Sequence, residues 1–95
     1  MTKKEILDEV TRLAQLAMSP PEIELILDLK RGQIYLNLSV SNDNEFRNAY
    51  LKGKLLLQAE LNKSILNLAK QGSGPAQTMA KKLIDEQNSK EVDFE

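Results

Sequence analysis

Residues 44–83, NEFRNAYLKGKLLLQAELNKSILNLAKQGSGPAQTMAKKL, decide how the rest of this chain is read. From Phe46 onward, apolar and small residues recur as Phe46, Tyr50, Gly53, Leu57, Leu61, Ile65 and Leu68. Steps of three and four keep one helical face pointing to a common side for roughly seven turns. A second row, Ala49, Leu55, Leu56, Ala59, Leu66 and Ala69, widens that face. Gly72-Ser73-Gly74-Pro75 stops the pattern, with Gly72 suited to the left-handed position after a helix and Pro75 to the first turn of the next. Ala76, Met79, Ala80, Leu83 and Ile84 then form the apolar face of a returning helix, which predicts an antiparallel hairpin. A helix of about 28 residues spans roughly 42 Å, too long for so short a chain to wrap. Contact with other copies of the chain is therefore expected along it. Gly53 inside the helix costs about 1 kcal/mol relative to Ala, which predicts close approach of another backbone there.

The remaining composition is that of one small domain of 95 residues. Sixteen Leu and six Ile against four aromatics predict an aliphatic, helical core. Without Cys there is no disulfide framework, and a reducing cytoplasm suits the chain. No apolar run reaches the length of a membrane span, and the N-terminal Met-Thr-Lys-Lys lacks the apolar stretch of a signal peptide. Net charge is −1, but it is unevenly spread. Residues 1–28 carry Lys3, Lys4 and Arg12 against Glu5, Asp8, Glu9, Glu22, Glu24 and Asp28, whereas 47–82 carry seven Lys and Arg against Glu60 alone. A polyanion responds to such a local surplus rather than to the sum.

Enzymatic chemistry is not expected. The chain has no His and no Cys, so the usual general base, thiolate and zinc ligands are missing. Glu24 and Asp28, four apart, would make half of a metal site and are read instead as surface. Gly72-Ser73-Gly74-Pro75 lacks the Lys-Ser or Lys-Thr of a phosphate cradle and reads as helix punctuation. No cofactor is expected.

Thr2 with Glu5 is a capping-box signature, and Ile6, Val10, Leu13 and Ala17 follow at helical spacing, predicting a first helix over about Lys3–Ala17. Ser19-Pro20-Pro21-Glu22 starts a second one even more clearly, presenting Ile23, Ile26 and Leu27 inward. The segment after it is ambiguous. Ile34, Leu36, Leu38 and Val40 alternate as in a strand, with Lys30-Arg31-Gly32-Gln33 as a hairpin turn. A lone hairpin in a helical chain is marginal, and a short helix over about Arg31–Leu38 is preferred.

With that helix, Pro20–Leu27, the turn Asp28-Leu29-Lys30 and Arg31–Leu38 have the size of a helix-turn-helix. Lys30, Arg31, Gln33 and Asn37 then point outward, and Arg, Gln and Asn are the side chains that read guanine and adenine edges. Arg47, Lys52 and Lys54 would supply phosphate contacts, which carry affinity without sequence information. Glu24 stands where the motif prefers a small residue, Asp28 where it prefers Gly, and Asn37 where it prefers an apolar one. Both acids would repel phosphate if they faced it. One contiguous basic patch would favour DNA; dispersal around the fold would favour a helical adaptor for another protein.

Ser19-Pro20-Pro21-Glu22-Ile23, the run Asn44-Glu45-Phe46-Arg47-Asn48-Ala49-Tyr50-Leu51-Lys52-Gly53-Lys54, and Ala69-Lys70-Gln71-Gly72-Ser73-Gly74-Pro75-Ala76 occur in an order that resembles phage helix-turn-helix proteins, terminase small subunits among them. The resemblance covers most of residues 10–86. It implies an all-α fold, binding of double-stranded DNA through residues 19–38, and ring-like or other homo-oligomers through the hairpin. It also implies a large terminase subunit, ATPase and nuclease, as a further partner. On this reading residues 1–43 are the DNA-binding head, 44–86 the hairpin, and 87–95 a flexible acidic tail.

Overall fold

A computed structural model describes residues 1–34 and 44–92, the last two as backbone. Among these the chain is all-α and has no strand, with α1 at Lys3–Gln15, α2 at Pro20–Ile26, α3 at Glu45–Lys70 and α4 at Gly74–Val92. Two compact units, Met1–Gln58 and Ala59–Glu95, divide the chain inside α3, whereas the expected division fell at residues 43 and 44.

In the first unit, α1 begins as its cap predicts. Thr2 Oγ1 accepts the Glu5 N–H at 3.2 Å. It ends earlier than expected because Ala17 turns left-handed at φ +66°. There the Met18 N–H reaches Leu13 O at 3.2 Å and the Ala17 N–H reaches Ala14 O at 3.0 Å, a closure usually given to glycine. α2 carries the complete capping box. Ser19 Oγ accepts the Glu22 N–H at 3.4 Å, and the Glu22 carboxylate accepts the Ser19 N–H at 2.9 Å. Val10, Leu13 and Ala14 from α1, Ile23 from α2, and Ile34 form the core, with Met18, Leu27, Leu29, Phe46, Ala49 and Tyr50 packed on it. Burying a Val or Ile fully is worth about 1.5–3 kcal/mol, so Val10, Ile23 and Ile34 anchor the unit. Ile26, expected inward, is 52% exposed, and its neighbour Leu25 is 81% exposed.

The crossing of α1 and α3 explains Gly53. A β-carbon there would overlap the Thr11 carbonyl oxygen and stand 2.7 Å from Ala14 Cβ. The close approach expected from the sequence is thus provided by α1. Thr11 Oγ1 adds a cross-link by donating to Ala49 O at 3.0 Å, and Lys3 pairs with Glu45.

In the second unit, Gly72 at φ +95° ends α3, and the Ser73 N–H returns to Leu68 O at 3.1 Å. Ser73 Oγ accepts the Ala76 N–H at 3.4 Å, and Gln77 Nε2 donates to Ala69 O at 3.2 Å. These bonds join the two helices at their turn. Only Ala76 and Ala80 are buried among the described side chains of this unit. Leu61, Leu68, Met79 and Ile84 are half exposed, and Leu66 is more than a third exposed. α4 continues through Val92, past the expected end of order at residue 86. Gln, Lys and Glu in 87–91 are good helix formers, no Gly or Pro stops them, and Lys90 suits the last turn.

Candidate nucleic-acid interface

The segment following α2 is shaped by two local closures and one distant one. Asp28 takes φ +54°, and the Leu29 N–H bonds to Glu24 O at 2.8 Å, so Asp28 fills the place where glycine is usual. Next, the Gln33 N–H bonds to Lys30 O at 3.0 Å around Gly32, whose φ is +85°. A positive angle at the third residue of such a turn marks it as the kind that favours Gly there. The distant closure comes from Glu24. Its carboxylate accepts the Gly32 N–H at 3.1 Å and the Ile34 N–H at 2.9 Å, and the residue is only 6% exposed. Ile34, immediately beyond, is fully buried in the core.

The same turn is tied to the start of α3. Asn44 Oδ1 accepts the Arg47 N–H at 3.0 Å as a helix cap, and its Nδ2 donates to Gln33 O at 3.4 Å. One asparagine therefore joins the turn to the helix that carries Arg47. Lys30 and Arg31 are exposed, while Gln33 and Arg47 are half-buried. Arg31 borders a groove of about 300 Å³ that it shares with Pro21, Glu24, Leu25 and Leu29.

These positions correct several expectations. Residues 31–34 are turn, not the first turn of a helix over Arg31–Leu38; the positive φ of Gly32 and the capture of two amides by Glu24 hold them so. Residues 35–38 of that expected helix, Asn37 included, lie outside the described residues. Gln33 does not point freely outward, because its Oε1 accepts the Lys30 N–H at 3.1 Å. Glu24 is not the surface residue that was expected, because its carboxylate is turned inward onto two backbone amides. Among the described residues no three acidic side chains converge on a metal position.

The basic residues of α3 divide into two sets. Arg47 and Lys54, seven apart, share one side of the helix, whereas Lys52 is about 160° from Lys54 and lies on the other flank. Lys52 and Lys54 therefore straddle the Gly53 contact with α1. Of the expected site residues, Lys30 and Gln33 are bonded within the turn, the backbones of Gln33 and Arg47 are joined through Asn44, and Lys52 and Lys54 diverge.

Elsewhere in the unit, two carboxylates are held by local hydrogen bonds. Arg12 donates to the Glu9 carboxylate at 2.7 Å, which holds the Glu9 carboxyl below the usual range, through the hydrogen bond first and the guanidinium charge second. The Glu22 carboxyl is also lowered, by the Ser19 backbone N–H and then its hydroxyl.

Glu24 as a clamp was not foreseen. The available signal was an acid on the helix face between Ile23 and Leu27, eight residues before a glycine. No protein-family model, curated protein or solved structure matches this chain.

Proposed function

We propose that the chain is a phage or prophage DNA-binding protein whose first unit contacts duplex DNA and whose hairpin joins other copies. The observation that carries this reading is the exposed Lys30-Arg31 corner, hydrogen-bonded through Gln33 and Asn44 to the start of α3. A guanidinium on a fixed backbone suits the acceptors of guanine, and nearby cations suit phosphate. The resemblance to terminase small subunits names the role such a protein plays, which is marking viral DNA for a large packaging subunit. A transcriptional regulator would differ only in its target.

Self-association has its own support. A hairpin whose buried side chains, among those described, are two alanines gains little from its own core, and Leu61, Leu68, Met79 and Ile84 are left about half exposed. Leu61 and Leu68, seven apart, lie on one flank of α3, and Leu66 on another. Several weak heads linked through such a surface gain avidity on one duplex.

Mobility shifts on random duplex at low salt, with light scattering on the same samples, test both parts. Binding that weakens steeply with salt, by an oligomer, is expected. No shift at high micromolar protein removes the DNA part. The divergence of Lys52 from Lys54 favours a second reading, a helical adaptor that uses the same hairpin to hold another protein. An oligomer that ignores DNA is its signature.

A further inference from the structure

We infer that Glu24 is the positioning residue of the DNA-facing turn: its buried carboxylate sets the backbone of Lys30–Ile34 and so the direction in which Lys30 and Arg31 point. The inference rests on the reading that this turn meets duplex DNA. Three consecutive amides are assigned on the inner side of the turn. Gly32 and Ile34 donate to the two oxygens of Glu24, and Gln33 donates to Lys30 O. Hydrogen bonds from amides to an ionised carboxylate are among the stronger kinds, and a buried one is shielded from competing water. No buried side-chain polar atom among the described residues lacks a partner, so the clamp is complete as it stands.

The clamp also settles where the charge goes. The residue that the helix-turn-helix pattern would make small and neutral is a carboxylate turned into the protein and consumed by backbone donors. Arg31 lines the same groove as Glu24, Leu25 and Leu29, and its backbone lies between the closure at Asp28 and the amide held at Gly32. Freeing Gly32 and Ile34 would let Arg31 sample many directions, and a base contact that depends on one direction would be lost.

The test compares Glu24→Gln, which keeps one acceptor and the side-chain volume, with Gly32→Ala, which strains the same turn from its exposed side where nothing lies within 4 Å of the new methyl. Each is combined with Arg31→Ala and, separately, with Lys54→Ala. The probe is the duplex that the wild-type protein enriches from a random pool. Each single variant of the turn should weaken binding about tenfold, within the range for losing one good bidentate base contact. Arg31→Ala should add nothing to either variant, whereas Lys54→Ala, on the side of α3 that carries Arg47, should multiply both losses. A defect in folding alone would not single out Arg31. Amide exchange at Gly32 and Ile34 should quicken in Glu24→Gln, and should Glu24→Gln fail to fold, Gly32→Ala decides. Near wild-type binding by the turn variants, or losses that multiply with Arg31→Ala, overturns this inference alone. A wild-type protein that binds no duplex overturns it together with the DNA reading.

Discussion

The first unit and the hairpin are built from similar helices, yet they hide different things. Met1–Gln58 buries Val10, Ile23 and Ile34 completely, closes Gly53 against α1 and satisfies an internal carboxylate. Among the described side chains of Ala59–Glu95, two alanines are buried, and Leu61 and Leu68 stand half in water. Aliphatic burial is the main source of net stability in a small domain, so the first unit gains more from its own core than the second does. The apolar rows of α3 look alike along their whole length in sequence. Their difference lies in whether another part of the chain is present to meet them.

Gly53→Ala breaks the stable side of this contrast and should have the largest effect. The added methyl has no space between Thr11 and Ala14, and a loss of about 3 kcal/mol is expected in urea unfolding of the first unit. An unchanged midpoint would mean that α1 and α3 do not cross there. Next comes the hairpin. Leu61 and Leu68, half exposed, each have about 1 kcal/mol of burial left to gain, so Leu61→Lys with Leu68→Lys should weaken self-association at least tenfold. Sedimentation over a dilution series reads this, and an unshifted monomer fraction would place the partner surface elsewhere.

Smaller effects sharpen the comparison at the helix ends. Gly72→Ala forces a β-carbon into the left-handed region and should cost about 1 kcal/mol. Ala17→Gly relieves the same strain at the end of α1 and should stabilise the first unit by about 0.5 kcal/mol, after the entropy that glycine adds to the unfolded chain. Thermal melts of both variants should therefore move in opposite directions.

The smallest effect is that of acid. The Glu22 carboxyl is lowered in the folded chain, so the unfolded state binds more protons as pH falls. The support that Glu22 and Ser19 lend α2 is full above the ordinary carboxylate pKa and is lost as pH drops through the lower folded value. Glu22→Gln, which keeps an acceptor for the Ser19 N–H but does not titrate, should remove that part of the pH dependence, measured by urea midpoints from about pH 5 down to about pH 2. An identical slope in the variant would assign the acid response to Glu9 and Arg12.

Much of the fold was legible because it is local. Thr2, Ser19, Pro20 and Gly72 start and stop helices through bonds that span three to five residues, and periodicity names the inward face within one helix. Gly53 was legible for a related reason, since a costly residue mid-helix asks for a neighbour even when the neighbour is unnamed. The segment after α2 was not legible in the same way. Alternation of Ile34 and Leu36 suited a strand and the Ile34–Leu38 spacing suited a helix, and neither pattern contains Glu24. Its carboxylate reaches amides eight and ten residues away, and only the folded backbone brings them together. Gln33 was misread for a different reason: its bond to the Lys30 N–H spans only three residues, but it forms in a turn, whereas a helix was expected there.

By itself the sequence determined an all-helical chain, most of the helix ends and the glycine at a crossing, because caps, φ preferences and residue period act over a few bonds. Tertiary structure decided that Glu24 faces inward, that the corner at Arg31 is turn, and that Val10 and Ile34 are covered while Leu61 and Leu68 are not. Those outcomes depend on which distant groups arrive beside one another, and burial and charge pairing are properties of that arrival.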